Sequence, residues 1–190
     1  MKKNRVLVLS GDKSGEFLVS NIIEELGYHN ANVVLREFYY IDYNPPKSMS
    51  FKRSTPHDLI DAVDIYETVD MVPNDTVILA QVPYEDNYRY YFDAFKVIIL
   101  EREVENSKKD MITWKQDYNS EYNIEASLKR TEKILKWKEK INHFYLKYEE
   151  LENEETRYEV IDSLQKYLFE EVKHSSKKVY EKAEKRERIY

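Results

Sequence analysis

The chain of 190 residues contains no cysteine, which excludes disulfides, a zinc-thiolate centre and a cysteine nucleophile. Histidine is nearly as scarce. His29, His57, His143 and His174 stand far apart and lack the short spacing of paired metal ligands, so no metal is expected. Long apolar runs are missing too. None approaches the roughly 20 residues of a membrane-spanning helix, and the apolar stretch after residues 1–4 is about six residues long, too short for the core of a secretion signal. The expectation is a cytosolic protein without a membrane anchor. A net charge of −6, with 35% charged residues, favours solubility and supplies no general attraction for nucleic acid or anionic lipid. Any anion site must therefore be built locally.

Only three glycines are present, and two of them share one loop. Residues 5–18 read R-V-L-V-L-S-G-D-K-S-G-E-F-L. The run at 6–9 has the apolar, β-branched character of a buried parallel strand, Gly11 and Gly15 permit a tight turn, and a helix is predicted over 16–26. The first N–H groups of such a helix are free to hold an anion, so the segment has the architecture of a phosphate cradle. A nucleotide-hydrolysing P-loop needs a lysine directly after its last glycine and then a hydroxyl for magnesium. Glu16 and Phe17 stand there instead, and the lysine comes earlier, as Lys13-Ser14-Gly15.

Farther along, strands are predicted at 32–38, 76–82, 96–100 and 141–147, with a helix at 57–69, a loop at 43–56 marked by Pro45, Pro46 and Pro56, and an aromatic-rich crossover at 84–95. From residue 103 the pattern is mostly helical. Alternation of strand and helix argues for an α/β domain: a parallel sheet of four or five strands flanked by helices, with the runs at Val6, Val77, Val97 and Phe144 adjacent and ligands at the carboxyl ends of the strands. One domain over 1–172 is expected, followed by a charged helical tail at 173–190. The tail holds seven Lys or Arg against three Glu and reads as an exposed helix or a frayed end.

Three segments in order resemble the sulfotransferase family. Lys13-Ser14-Gly15 has the order of its 5′-phosphosulfate loop. The run 96–102, K-V-I-I-L-E-R, followed eight residues later by Asp110, resembles the 3′-phosphate element, a strand ending in arginine with a serine at that distance. The run 144–151, F-Y-L-K-Y-E-E-L, with the apolar spacing Ile161, Leu164, Leu168 behind it, is similar to the family's Y-E-D-L strand end and helix. The resemblance implies a three-layer P-loop fold of sulfotransferase type with a helical C-terminal extension. It also implies 3′-phosphoadenosine 5′-phosphosulfate as donor and transfer of a sulfuryl group to a hydroxyl or amine of a small-molecule or carbohydrate acceptor.

Sulfuryl transfer asks a protein to align donor and acceptor and to place positive charge where negative charge develops. The resemblance gives that electrostatic task to Lys13, whose other reading is an exposed loop lysine. Ser14 and Gly15 complete the cradle, with Glu16 and Phe17 at the positions where the family has hydroxyls. Glu16 satisfies the positive helix end by itself and repels a phosphate. Arg102 suits bidentate phosphate binding, but Asp110 opposes it. Two unit charges about 5 Å apart, at an effective dielectric of about 20, repel by roughly 3 kcal/mol. Ser107, three residues earlier on the same helix face, is a candidate for the missing hydroxyl; alternatively Arg102 and Asp110 simply pair with each other and the site is empty. Where cytosolic members carry a histidine base, this chain has Gln81 in Ala80-Gln81-Val82-Pro83, which leaves Glu85 and His57 as substitute bases. Phe38, Tyr39, Tyr40, Tyr43, Tyr84, Tyr88, Tyr90, Tyr91 and Phe92 form either an acceptor wall or the packed rim of the sheet; Trp114 and Trp137 are read as core. Two functions stay open: a small sulfotransferase, or a sulfotransferase-fold binding or regulatory module without transfer chemistry. A P-loop nucleotide kinase is disfavoured by the loop order.

Overall fold

The computed structural model describes residues 4–36, 40–42, 72–117 and 122–186. The predicted loop at 43–56 and helix at 57–69, and with them His57, Phe38, Tyr39 and Tyr43, lie outside the described residues.

Strands β1 (Arg5–Ser10), β2 (His29–Arg36), β3 (Tyr40–Asp42), β4 (Thr76–Gln81), β5 (Lys96–Glu101) and β6 (His143–Lys147) form one sheet in the order β3-β2-β4-β1-β5-β6. The four runs expected side by side are neighbours and parallel, with Val6 opposite Val77, Leu7 opposite Val97 and Ile98 opposite Phe144. β2 adds a fifth parallel strand beside β4, its register interrupted between Asn30 and Val34, and β3 closes that edge antiparallel. The sheet thus has six strands among the described residues, where four or five were expected. β2 also starts three residues before its predicted first residue. The cause is Gly27, whose φ of 104° ends the preceding helix: the Tyr28 N–H reaches back to Ile23 O and the chain turns straight into the strand.

Seven α-helices are described: α1 (Glu16–Glu25), α2 (Arg89–Phe92), α3 (Val104–Asp117), α4 (Ile124–Leu135), α5 (Tyr148–Glu152), α6 (Arg157–Phe169) and α7 (Ser176–Lys185). Pleating sends alternate side chains to opposite faces of the sheet. Val6, Val8, Val77, Leu79, Ile98 and Leu100 meet α1, α6 and α7 on one face. Leu7, Leu9, Ile78, Ala80, Val97 and Ile99 meet Ile134, Trp137 and Phe92 on the other. This is the three-layer α/β arrangement, and it explains why the central strands read as unbroken apolar runs rather than alternating ones. Each fully buried Val or Leu of β1 contributes on the order of 1.5–3 kcal/mol.

Two expectations need correction. The segment read as an exposed tail contains α7, which buries Val179, Tyr180 and Ala183 in the α1-side core while its lysines face solvent. Arg186 fastens its end to α1, 2.7 Å from Glu24 and paired also with Glu25. Trp137 is core as expected, its indole N–H donating to Val82 O at 3.0 Å. Trp114 is only half-buried and lies over the loop after β1, as described next. No helix among the described residues is long and apolar enough to cross a membrane.

Candidate functional site

The loop between β1 and α1 leaves the sheet at the carboxyl end of a central strand, where an open α/β sheet places its ligands. Two of its residues have left-handed backbone, Lys13 at φ 56° and Gly15 at φ 87°. Such alternation turns successive N–H groups toward one point and forms an anion-binding concavity. For lysine the conformation is strained.

The group found in that concavity is the chain's own. Glu16, first residue of α1 and only 4% exposed, folds back so that its carboxylate accepts the Ser14 N–H at 3.1 Å. Burial pushes the Glu16 carboxyl up to about 7, and nearby Asp12 adds to the rise. Its own backbone N–H, the Lys13 charge and the Ser14 N–H act in the opposite sense. The sequence places a carboxylate at the helix start; that it bends into the loop follows from the lack of a competing cap, since Gly15 has no side chain to offer the first turn.

Gly15 has a second role. A Cβ there would fall 2.0 Å from the Tyr148 ring, so the space left by the missing side chain is filled by Tyr148, at the start of α5. Gly11 is equally constrained, a Cβ there lying 2.2 Å from Thr131 Oγ1 on α4. Asp12, between them, accepts hydrogen bonds from Tyr122 Oη at 2.6 Å and from Ser127 Oγ, and lies 3.5 Å from Arg130. Helix α4 is thereby pinned across the loop. The Lys13 ammonium stands 5.0 Å from the centroid of Trp114, which in turn packs edge-to-face on Tyr122.

Arg102 comes to the same place from the end of β5. One Nη1 donates to Lys13 O at 3.0 Å and to Asp110 Oδ2 at 2.6 Å, and the guanidinium lies 4.8 Å from the Tyr148 centroid. Its Nε is buried without a hydrogen-bond partner. The pairing of Arg102 with Asp110 is thus the arrangement seen. Ser107 is buried in the first turns of α3, whereas the Asp110 side chain is 49% exposed.

Lys13, Ser14, Gly15, Glu16, Arg102 and Asp110 therefore meet at one point. Phe17 faces elsewhere: with Leu18, Asn21, Tyr148, Arg157 and Tyr180 it lines a cavity of about 310 Å³ between α1, α5 and α7. Gln81 is buried at the end of β4 with its Oε1 unpartnered. Glu85 opens the short 3-10 turn Asp86–Tyr88, and its neighbour Tyr84 donates its N–H to Lys133 O and packs edge-to-face on Trp137, which ties that segment to the sheet face opposite α1. Tyr84, Tyr88 and Phe92 join the core of that face, which is the rim-packing role. Among the described residues no group of three acidic or histidine side chains could hold a metal.

Sequence reasoning missed Asp12, Tyr122, Ser127 and Thr131, which are joined only by the fold. Tyr180 could have been found from the spacing of Val179, Tyr180 and Ala183, which puts all three on one helix face.

No family model matches the chain, and no curated protein matches it. Among solved structures, the crystal structure of mouse sulfotransferase SULT7A1 complexed with PAP is similar at a TM-score of 0.59 and 17% identity. The alignment covers 96% of this chain and 64% of that one, so the chain spans about two thirds of that enzyme's length. The likeness shows a sulfotransferase-like fold.

Proposed function

We propose that this protein binds 3′-phosphoadenosine 5′-phosphosulfate at the carboxyl ends of β1 and β5 and transfers its sulfuryl group to a hydroxyl or amine. The observation that carries the reading is the meeting of the Lys13–Glu16 loop with Arg102, in a fold similar to that of a sulfotransferase complexed with PAP. The residues fit such a nucleotide in three respects. The loop N–H groups and Lys13 suit the 5′-phosphosulfate, the buried unpartnered Nε of Arg102 suits a second phosphate, and the cavity lined by Phe17, Tyr148 and Tyr180 has the aromatic lining that suits a purine. In one respect they do not fit until something moves, because the Glu16 carboxylate holds the Ser14 N–H. The donor brings the activated sulfuryl group; Lys13 would stabilise charge developing on the leaving oxygen. The acceptor, a small molecule or carbohydrate, and a cytosolic setting belong to the same proposal.

A second reading, a binding or regulatory module of the same fold without transfer, is favoured by Glu16 in the cradle and by Gln81 where a base is needed. Calorimetric titration with 3′-phosphoadenosine 5′-phosphate tests what both share. Binding that weakens in Arg102→Ala is expected, and absence of binding at any pH between 6 and 8 would refute the nucleotide site. Turnover of the donor with a panel of phenols, amines and sugars then separates the two readings.

A further inference from the structure

We propose that Glu16 acts, in its protonated form, as a hydrogen-bond donor inside the anion cradle, so that a sulfate or phosphate group is bound there together with a proton on that carboxyl. The proposal rests on the reading of the cradle as an anion site and adds to it how that site is gated.

Four observations carry it. The carboxylate of Glu16 occupies the cradle directly, through the Ser14 N–H. Glu16 is almost fully buried and belongs to the same turn as Gly15, so on leaving the cradle its carboxyl stays beside the incoming anion. Tyr148 against Gly15 and α4 across Gly11 cover the loop on two sides. Polar groups without partners also lie at the carboxyl ends of the strands beside it. Ser10 Oγ and Gln81 Oε1 are buried and unpartnered at the carboxyl ends of adjacent strands, on the sheet face that α1 covers, and Arg102 Nε is a buried donor with nothing to donate to. A hydroxyl and a guanidinium N–H in that state suit an anion, and the neutral, proton-bearing carboxyl is the form of Glu16 that can share the space with one.

The charged and titratable groups around Glu16 decide the direction. Asp12 lies in the loop and is shared with Tyr122 on one side and Arg130 of α4 on the other; Lys13 leans on Trp114; Arg102 is held by Lys13 O and Asp110; Tyr148 closes the loop from α5. With the Glu16 carboxyl raised to about 7, the donor form is well populated at neutral pH without any ligand. A bound dianion raises it further. The proton comes from solvent and rests on the carboxyl, and no covalent bond changes.

Inorganic sulfate is the probe, because its charge is constant from pH 6 to 8. For the native chain the dissociation constant is expected to rise about tenfold between pH 6 and pH 8, the change in the protonated fraction of a group titrating near 7. For Glu16→Gln, whose amide donates at every pH, it should change less than about twofold and stay close to the native value at pH 6. Equal pH dependence in the two proteins overturns the proposal alone. So does an affinity that rises with pH, which would mean that Glu16 swings out to solvent as a carboxylate. If Glu16→Gln does not fold, the 15N–1H signal of Ser14 in the native chain decides: a shift titrating near pH 7 and abolished by sulfate is expected, and a flat profile overturns the proposal. If sulfate binds neither protein at any pH, the gate falls with the anion site, an outcome that the nucleotide titration above would show independently.

Discussion

Two carboxylates guard the two basic elements of the site, and they differ in burial. Glu16 sits inside the cradle of Lys13 at 4% exposure, held by backbone N–H groups, with its carboxyl pushed up by burial. Asp110 sits outside, on the exposed face of α3, 2.6 Å from Arg102 with half its side chain in water. Both occupy positions where the sulfotransferase resemblance has hydroxyls, and both are acidic. Buried charge costs folding free energy and changes protonation to escape that cost, whereas exposed charge is screened and nearly free. The first therefore behaves as a gate and the second as a weak competitor.

Lys13 lies between the two, its carbonyl on Arg102 and its side chain over Trp114. Lys13→Ala keeps the carbonyl and so keeps Arg102 in place, while removing the charge at the transferred group. Turnover of the donor should fall by about a hundred- to a thousandfold, as for loss of one electrostatic stabiliser, with the unfolding midpoint little changed. Undiminished turnover would remove Lys13 from the chemistry and leave Arg102 as the sole basic element that matters.

The next effect isolates Glu16. Its carboxyl is raised in the folded chain from 4.5 to about 7, so the folded state binds the proton more tightly than the unfolded one. The associated stability is present in full below pH 4.5 and is lost as pH rises through 7. Its size is roughly 3 kcal/mol, from 1.36 kcal/mol per unit. Urea unfolding at pH 5 and pH 8 should show that loss in the native chain and not in Glu16→Gln. If the native chain shows no such loss, or Glu16→Gln shows it equally, the buried carboxylate is not its source.

How much of this could be read beforehand follows the range of the interactions involved. The strands and their neighbours were legible because unbroken apolar runs such as residues 6–9 and 97–100 are a local signal of two-sided burial. The cradle was legible as glycines and a lysine between a strand and a helix, and the conflict at Glu16 and Asp110 as charge in the wrong place. The roof over the loop was not. Asp12 meets Tyr122 and Ser127 across more than a hundred residues, and no spacing rule joins them. Tyr148 was visible as part of a motif but not as the ring that fills the space at Gly15, since that depends on where α5 starts relative to α1. The C-terminal helix was misread for a different reason. Seven basic residues over 173–190 point to a solvated tail, although Val179, Tyr180 and Ala183 mark an apolar stripe on the helix within it.

The smallest expected effect is also the one that separates the two carboxylates most cleanly. Removing Asp110 frees Arg102 from one partner and takes a negative charge from beside the second phosphate position, so Asp110→Ser should tighten binding of 3′-phosphoadenosine 5′-phosphate. The full repulsion of roughly 3 kcal/mol at about 5 Å does not apply, because a side chain half in water is screened; a gain of about 1 kcal/mol or less, up to fivefold in affinity, is the expected size. Screening also predicts how that gain responds to salt. At about 1 M ionic strength the Debye length falls to about 3 Å, so the Asp110→Ser advantage over the native chain should vanish. The Glu16→Gln advantage at pH 8 should persist, since a buried charge is screened far less than an exposed one. Two titration series, each variant against the native chain at low and high salt, measure this. If the Asp110 gain survives high salt, the carboxylate is sheltered with the nucleotide bound, which requires α3 to close over the site. If the Glu16 gain disappears in salt, its carboxylate is screened as an exposed charge is, and it competes in the same way as Asp110.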